Sequence, residues 1–424
     1  MTATGPCNGL GVVDVVALGE SMVTFLPTRP GRLADVPSFE RGIGGAESNV
    51  ACGLAAAGHA VRWVSRVGAD GFGDHLVEAI GGYGVDVSAV RRDPVRPTGV
   101  YFRTAGDRAT DAHEVAYYRA GSAASAMSVE NVDPEAVRAA RVLHLSGITA
   151  ALSEGCLGLL RQLTAPDEGR PLVSFDVNHR AGLWQDADGP LVLLELARGA
   201  DIVFVGVDEA EEAWGVTGGP ESIREALPEP RVLVVKDGGR GATVFASAAG
   251  DRAARAAPGP QRDGSPSAPG GATRPRPPLA PGASRSHPAG AAPASDADMT
   301  PDADMTPDAD MTPDADMTPD AGTTPTTFVP ALHVEVAAAT GAGDAFAAGF
   351  LSATLRALPL RDRLRHGHLW AAAALTAPGD LAAPPSRDHA DRLVALDDPA
   401  WEKLRLGPGW TQATERADEE VRTP

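Results

Sequence analysis

The chain has 424 residues, 56 acidic against 37 basic side chains, and a net charge of −19 at pH 7. That acid excess argues against nucleic acid or an anionic membrane as the main partner. No run approaches the roughly 20 apolar residues of a membrane helix, and Met1 to Leu10 lack the pattern of a secretory signal.

Three scattered cysteines (Cys7, Cys52, Cys156) exclude a disulfide framework and a Cys-based zinc site, and fit a reducing cytoplasm. There are only two lysines, Lys236 and Lys403, and neither follows a glycine, so a Walker-type phosphate loop is excluded. No His-Arg-Asp or Asp-Phe-Gly occurs, which argues against a protein kinase. Length alone predicts two or three domains.

In chain order, residues 12–18 form an apolar, β-branched run expected to be a strand buried on both faces, with 22–26 continuing extended. Gly44-Gly45 precedes a small-residue helix over 49–58, closed by Gly58. A strand follows at 61–67 and a helix at 74–82. Residues 99–104 and 114–119 read as strands of a hairpin outside the main core. Short apolar runs at 142–146, 172–177, 202–205 and 232–235 alternate with helical stretches such as 153–163 and 191–197. This alternation predicts βαβ units, that is, an α/β fold with a mostly parallel sheet and helices on both faces. Ligands of such sheets bind beyond the carboxyl ends of the strands.

Residues 251–325 differ from the rest. A Pro/Gly/Ala/Ser/Arg stretch leads into four copies of Asp-Ala-Asp-Met-Thr-Pro, from Asp296 to Pro319. The hexamer cannot build an apolar helix face, and its prolines break any ladder, so a disordered insertion is expected. Its Asp-x-Asp spacing lacks the turn glycine and bidentate Glu of a calcium loop. With Asp320 of the decayed copy that follows (Asp320 to Pro325), the repeat carries nine aspartates, nearly half of the net charge.

After the insertion comes Thr340-Gly341-Ala342-Gly343-Asp344-Ala345-Phe346, a glycine turn opening a helix over 344–355. The first amides of a helix lack internal partners and sit at the positive end of its dipole. A carboxylate there suits a base that deprotonates an attacking hydroxyl while the amides hold a transferring phosphoryl group. Plain capping by Asp344 is the alternative.

Together with Gly44-Gly45-x-x-x-Asn49-x-Ala51-x-x-Leu54-x-x-x-Gly58, this motif resembles the PfkB/ribokinase family of carbohydrate kinases over residues 14–380. Within the family the chain looks most like the 2-keto-3-deoxygluconate kinases. It has Gly19-Glu20-Ser21-Met22, Thr98-Gly99-Val100-Tyr101-Phe102-Arg103, Tyr117-Tyr118-Arg119 and Asp176-Val177-Asn178-His179-Arg180, and it has Thr24 where neutral-sugar relatives carry Asp.

The resemblance implies a ribokinase-like α/β sandwich with a small β lid (about 20–42 and 93–120), and ATP and Mg²⁺ as co-substrate and cofactor. It implies Asp344 as catalytic base and Gly341, Ala342 and Gly343 as anion hole. It assigns Gly45, Asn49, Tyr101, Arg103 and Arg180 to the substrate, with the two arginines suited to a sugar-acid carboxylate. Arg119 is left between a site and a structural role. Lys236, Gly238, Gly241 and Gly343 fall on the nucleotide side. Glu209 falls where an Asn-x-x-Glu motif organises Mg²⁺, with Gly206 in place of the Asn. Ala338 replaces the Asp that opens the family motif, which leaves monovalent-cation activation open.

The expected organisation is a tail (1–10), one kinase domain (11–250 and 326–400) and a C-terminal tail (401–424). The expected activity is ATP-dependent phosphorylation of a primary hydroxyl of 2-dehydro-3-deoxy-D-gluconate by a cytoplasmic enzyme. A fructokinase- or ribokinase-type activity, and a catalytically weak sugar-binding regulator acting through the acidic linker, are the alternatives. Oligomeric state is left open, a homodimer or larger homo-oligomer included.

Overall fold

Each apolar run of the sheet splits its side chains between two cores. Val15, Ala17, Trp63, Val142, Ile202, Phe204, Val232 and Val234 enter one. Val16, Leu18, Leu143, Leu145, Val173, Phe175, Val203, Val205, Leu233 and Val235 enter the other. A strand alternates sides every residue, so an unbroken apolar run demands cover on both faces.

The computed structural model describes residues 11–29, 31–104, 114–184, 188–246, 326–338, 340–377 and 379–412. The predicted insertion at 251–325 lies outside them.

The strands in chain order are β1 (Val13–Leu18), β2 (Met22–Pro27), β3 (Phe39–Gly44), β4 (Val61–Val64), β5 (Arg66–Gly68), β6 (Arg91–Asp93), β7 (Val100–Arg103) and β8 (Val115–Tyr118). There follow β9 (Ala140–Ser146), β10 (Leu172–Asp176), β11 (Ile202–Gly206), β12 (Val232–Asp237), β13 (Gly241–Ala246), β14 (Thr326–Pro330), β15 (His333–Val334) and β16 (Arg405–Leu406).

The main sheet runs β14-β13-β12-β11-β10-β9-β1-β4. It is parallel from β12 to β4, while β13 and β14 are antiparallel. One core is covered by helices Ala46–Ala56, Gly71–Gly82, Ala342–Leu355 and Leu360–Leu375. The other is covered by Glu154–Thr164, Gly189–Arg198, Val207–Trp214 and Pro220–Ala226. A second sheet, β3-β2-β7-β8, forms the lid, and its β7–β8 pair is the expected hairpin.

Several boundaries move. The run expected as one strand over 61–67 breaks at Ser65: β4 stays in the main sheet, whereas β5 pairs with β6. The side chains explain the departure, because Arg66 Nε meets Asp93 Oδ2 at 2.8 Å. The helix expected at 49 begins at Ala46, and the one expected at 344 begins at Ala342.

The expected tail also changes. Trp401, Leu406 and Trp410 are buried, β16 pairs with β15, and Trp401 Nε1 donates to Pro330 O. Residues 401–412 therefore belong to the domain, because two tryptophans and a leucine close the core there. The described chain stops at Ala246 and resumes at Thr326, on neighbouring antiparallel strands where Phe245 pairs with Thr326. An insertion between strand ends already held side by side costs only slowly growing closure entropy.

Trp401→Ala removes a fully buried ring that also stacks under the Arg365 guanidinium at 4.5 Å. It should destabilise the domain by about 3–5 kcal/mol in denaturant unfolding, whereas a disordered tail would show no change.

Candidate functional site

The carboxyl ends of β1, β9, β10, β11 and β12 reach one rim of the sheet, and the lid stands over the β1 end. Between them lies a cleft of about 380 Å³. Its wall includes Glu20, Gly45, Asn49, Tyr101, Arg103 and Arg119 at the lid end, and Asp176, Arg180, Glu209 and Lys236 along the rim. Gly341, Gly343 and Asp344 form its floor.

Two motif glycines lie against the Tyr101–Asp380 pair. A Cβ on Gly44 would fall 2.2 Å from Tyr101 Oη and 2.7 Å from Asp380 Oδ2, and one on Gly341 would fall 2.2 Å from the Asp380 carbonyl oxygen. Gly341 is also left-handed, with φ 81°, a conformation that glycine adopts without strain. It caps the helix Ala342–Leu355, so the free amides of the first turn face the cleft beside Asp344.

Four cations enter the cleft, and each has a carboxylate. Arg103 is paired with the buried Asp380, which Tyr101 Oη also contacts. Arg119 is paired with Glu20. Arg180, more than half exposed, lies 3.7 Å from Glu209. Lys236 Nζ lies 3.1 and 3.2 Å from the two oxygens of Asp176.

Asp344 is the fifth carboxylate. Among the described residues it has no cation at ion-pair distance, only Asn49 Nδ2, which donates to its Oδ2 at 2.8 Å. Loss of hydration pushes its carboxyl up to about 7, against the Asn49 hydrogen bond. The Asp176 and Glu47 carboxylates add to the rise and Lys236 opposes it. Burial by itself would lower the Lys236 ammonium, but Asp176, Glu209 and Asp344 outweigh it and hold it above its ordinary value. Burial pushes the Tyr101 hydroxyl up, and the Asp380 charge adds to it.

The cleft thus brings together Gly45, Asn49, Tyr101, Arg103, Arg180, Glu209, Lys236, Gly341, Gly343 and Asp344. It does not include three other expected residues. Ala342 is the first residue of the helix and does not line the wall. Gly238 sits in the β12–β13 turn. Gly241 begins β13, where a Cβ would fall 2.4 Å from Val329 O, so its need is close strand packing.

Sequence reasoning missed Asp380, Glu20 and Asp176 as site residues. Asp176 carried a usable signal, a carboxylate at a strand's carboxyl end opposite one of only two lysines. Asp380 carried none. Among the described residues, no group of three or more His, Cys, Asp or Glu is gathered for a metal. Glu209, whose Oε2 accepts the Gly206 amide at 2.8 Å, leaves its other oxygen only loosely engaged. That fits Mg²⁺, which is held largely by water and phosphate oxygens with one or two carboxylates.

The 2-dehydro-3-deoxygluconokinase of Thermoproteus tenax is 34% identical over 237 residues, 55% of this chain and 72% of that protein. Fructokinase-1 of Zea mays is 31% identical over 237 residues, with the same two coverages, 55% and 72%. The crystal structure of a PfkB protein from Polaromonas sp. JS666 superposes with a TM-score of 0.64 at 27% identity, covering 89% of this chain and 99% of that one. The model of the pfkB family of carbohydrate kinases matches residues 13–263 and 322–387, and its interruption falls inside the predicted insertion. A match over most of the chain, joined to a cleft with Asp344 at a helix start, makes this chain a member of the pfkB family, a carbohydrate kinase acting on an alcohol acceptor.

Proposed function

We propose that this carbohydrate kinase transfers the γ-phosphoryl group of ATP to a primary hydroxyl of 2-dehydro-3-deoxy-D-gluconate. The observation that carries the phosphotransfer reading is Asp344. It is the cleft carboxylate without a cation, its pKa lies near neutrality, and it stands beside the free amides of a helix start.

In this reading the acceptor lies under the lid and the nucleotide lies toward Lys236. Asp344 takes the proton of the attacking hydroxyl as the oxygen engages the γ-phosphorus. Asn49 keeps the Asp344 carboxylate aimed by donating to Oδ2. The amides of residues 342 and 343 and the Lys236 ammonium meet the charge on the transferring oxygens. Mg²⁺, held near Glu209, supplies charge neutralisation on the phosphates when bound.

The acid preference rests on arginine. Arg103 is already neutralised by Asp380, so Arg180, the exposed guanidinium of the rim, is the group best able to take a substrate carboxylate. Arg103 and Tyr101, fixed by Asp380, then orient the rest of the sugar.

Asp344→Asn should lower kcat on the order of 10²-fold or more with acceptor KM little changed, as expected for loss of a general base. Turnover close to the parent enzyme would overturn the assignment.

The pH profile follows from the same group. Asp344 accepts a proton only when ionised, so kcat/KM should fall as pH drops through about 7. Asn49 stabilises the ionised form, so Asn49→Ala should move this acid limb to higher pH. A limb near pH 4 in the parent, or a downward shift in the variant, contradicts this role.

A panel of 2-dehydro-3-deoxy-D-gluconate, D-fructose and D-ribose with ATP decides the substrate. The sugar acid should have the highest kcat/KM, and Arg180→Ala should raise its KM tenfold or more while leaving the KM for ATP within twofold. Preference for fructose would replace the acid reading with a neutral-sugar kinase.

A further inference from the structure

The lid is joined to the body by four chain crossings, and all four meet at one buried residue, Glu20, three of them by containing or touching its carboxylate and one by touching its backbone. The first crossing, between β1 and β2, contains Glu20 itself. The second, from β3 into the helix Ala46–Ala56, passes Gly45, where a Cβ would fall 2.4 Å from the Glu20 carbonyl oxygen. The third, from β6 into β7, passes Gly99, where a Cβ would fall 2.9 Å from Glu20 Oε1. The fourth leaves β8 through Arg119 and Ser122. Arg119 forms an ion pair with Glu20 Oε2, and Ser122 Oγ donates to Glu20 Oε1 at 2.5 Å.

Glu20 is 2% exposed and its side chain is 1% exposed, so water does not compete for these contacts. An ion pair removed from water is sensitive to its geometry, and loss of one partner leaves the other charge buried. Arg119 gains a second constraint from the face of Tyr117, 6.0 Å from its guanidinium carbon. Among the described residues neither its Nε nor Glu20 Oε2 has a hydrogen-bond partner, so the two charges face each other as an ion pair.

The junction also reaches the chemistry. Gly45 caps the helix that presents Asn49 to Asp344, and the Glu20 backbone is pressed against that cap. One residue therefore sets both the root of the lid and the seat of the helix that aims the carboxylate.

We infer that Glu20 is a positioning residue for the acceptor half of the reaction: it fixes where the lid stands over the cleft and holds Arg119 in the cleft wall. The inference rests on the reading that the acceptor lies under the lid. It requires no particular sugar, so it is tested with whichever acceptor the parent enzyme prefers in the panel above. Failure of the sugar-acid reading then shows in the parent enzyme, and failure of this inference shows only in the variants.

The experiment is a double-mutant cycle on the full chain with Glu20→Gln, Arg119→Gln and the pair together, measuring kcat and separate KM values for acceptor and ATP. Each single change should raise the acceptor KM tenfold or more, with the KM for ATP within twofold. The double variant should be no worse than either single, because both remove the same link. Additive effects, equal rises in both KM values, or an unchanged acceptor KM would each overturn the inference. Should Glu20→Gln not fold, Ser122→Ala removes one hydroxyl from the same carboxylate. A threefold or larger rise in acceptor KM alone supports the inference, and an unchanged value overturns it.

Discussion

The hydrogen bond from Asn49 to Asp344 spans 295 residues of chain, and the rest of the cleft is arranged around it. A buried carboxylate is normally paired with a cation. Here the four nearby cations are each already engaged with Asp380, Glu20, Glu209 or Asp176. Asp344 is left with an amide donor, which orients it without holding it ionised as firmly as a cation would. Burial pushes its carboxyl up to about 7 against that hydrogen bond, into the range where a base can both take a proton and give it up.

The same pairing makes the cleft a balanced field. Partly buried charges interact strongly when dehydration lowers the effective dielectric, and each ion pair limits the cost of that dehydration. The pairs also fix positions. Asp380 holds Arg103 and Tyr101 on the lid strand β7, and Asp176 brings Lys236 from β12 across to the end of β10. A ligand entering this cleft meets side chains that are already oriented, with Arg180 as the group most open to solvent.

The motif glycines show how local and distant constraints combine. In sequence Gly44-Gly45 reads as the turn before a helix, and Gly341 as part of a glycine turn opening another. In the structure Gly44 lies against Tyr101 and Asp380, Gly45 against the Glu20–Ser21 backbone and Gly341 against the Asp380 carbonyl oxygen. Gly241, expected on the nucleotide side, lies against β14, where a Cβ would fall 2.4 Å from Val329 O. A glycine in a motif reports a close approach without reporting what approaches.

The βαβ alternation, the lid hairpin and the two glycine motifs were legible in the sequence, because they follow from short-range rules: period-two burial, helix capping and turn chemistry. Those rules were enough to single out Asp344 and to exclude a Walker site. The break at Ser65, the place of residues 401–412 in the core and the partners of Arg103, Arg119 and Lys236 were not. Each depends on which strand ends lie side by side, and that is set by packing two cores onto one sheet. Asp380 lies 277 residues from Arg103 and Asp176 lies 60 from Lys236. Sequence alone determined that a carboxylate would stand at the start of a glycine-capped helix. Only the tertiary structure decided that it would stand there without a cation, because only folding could give every cation of the cleft to another acid.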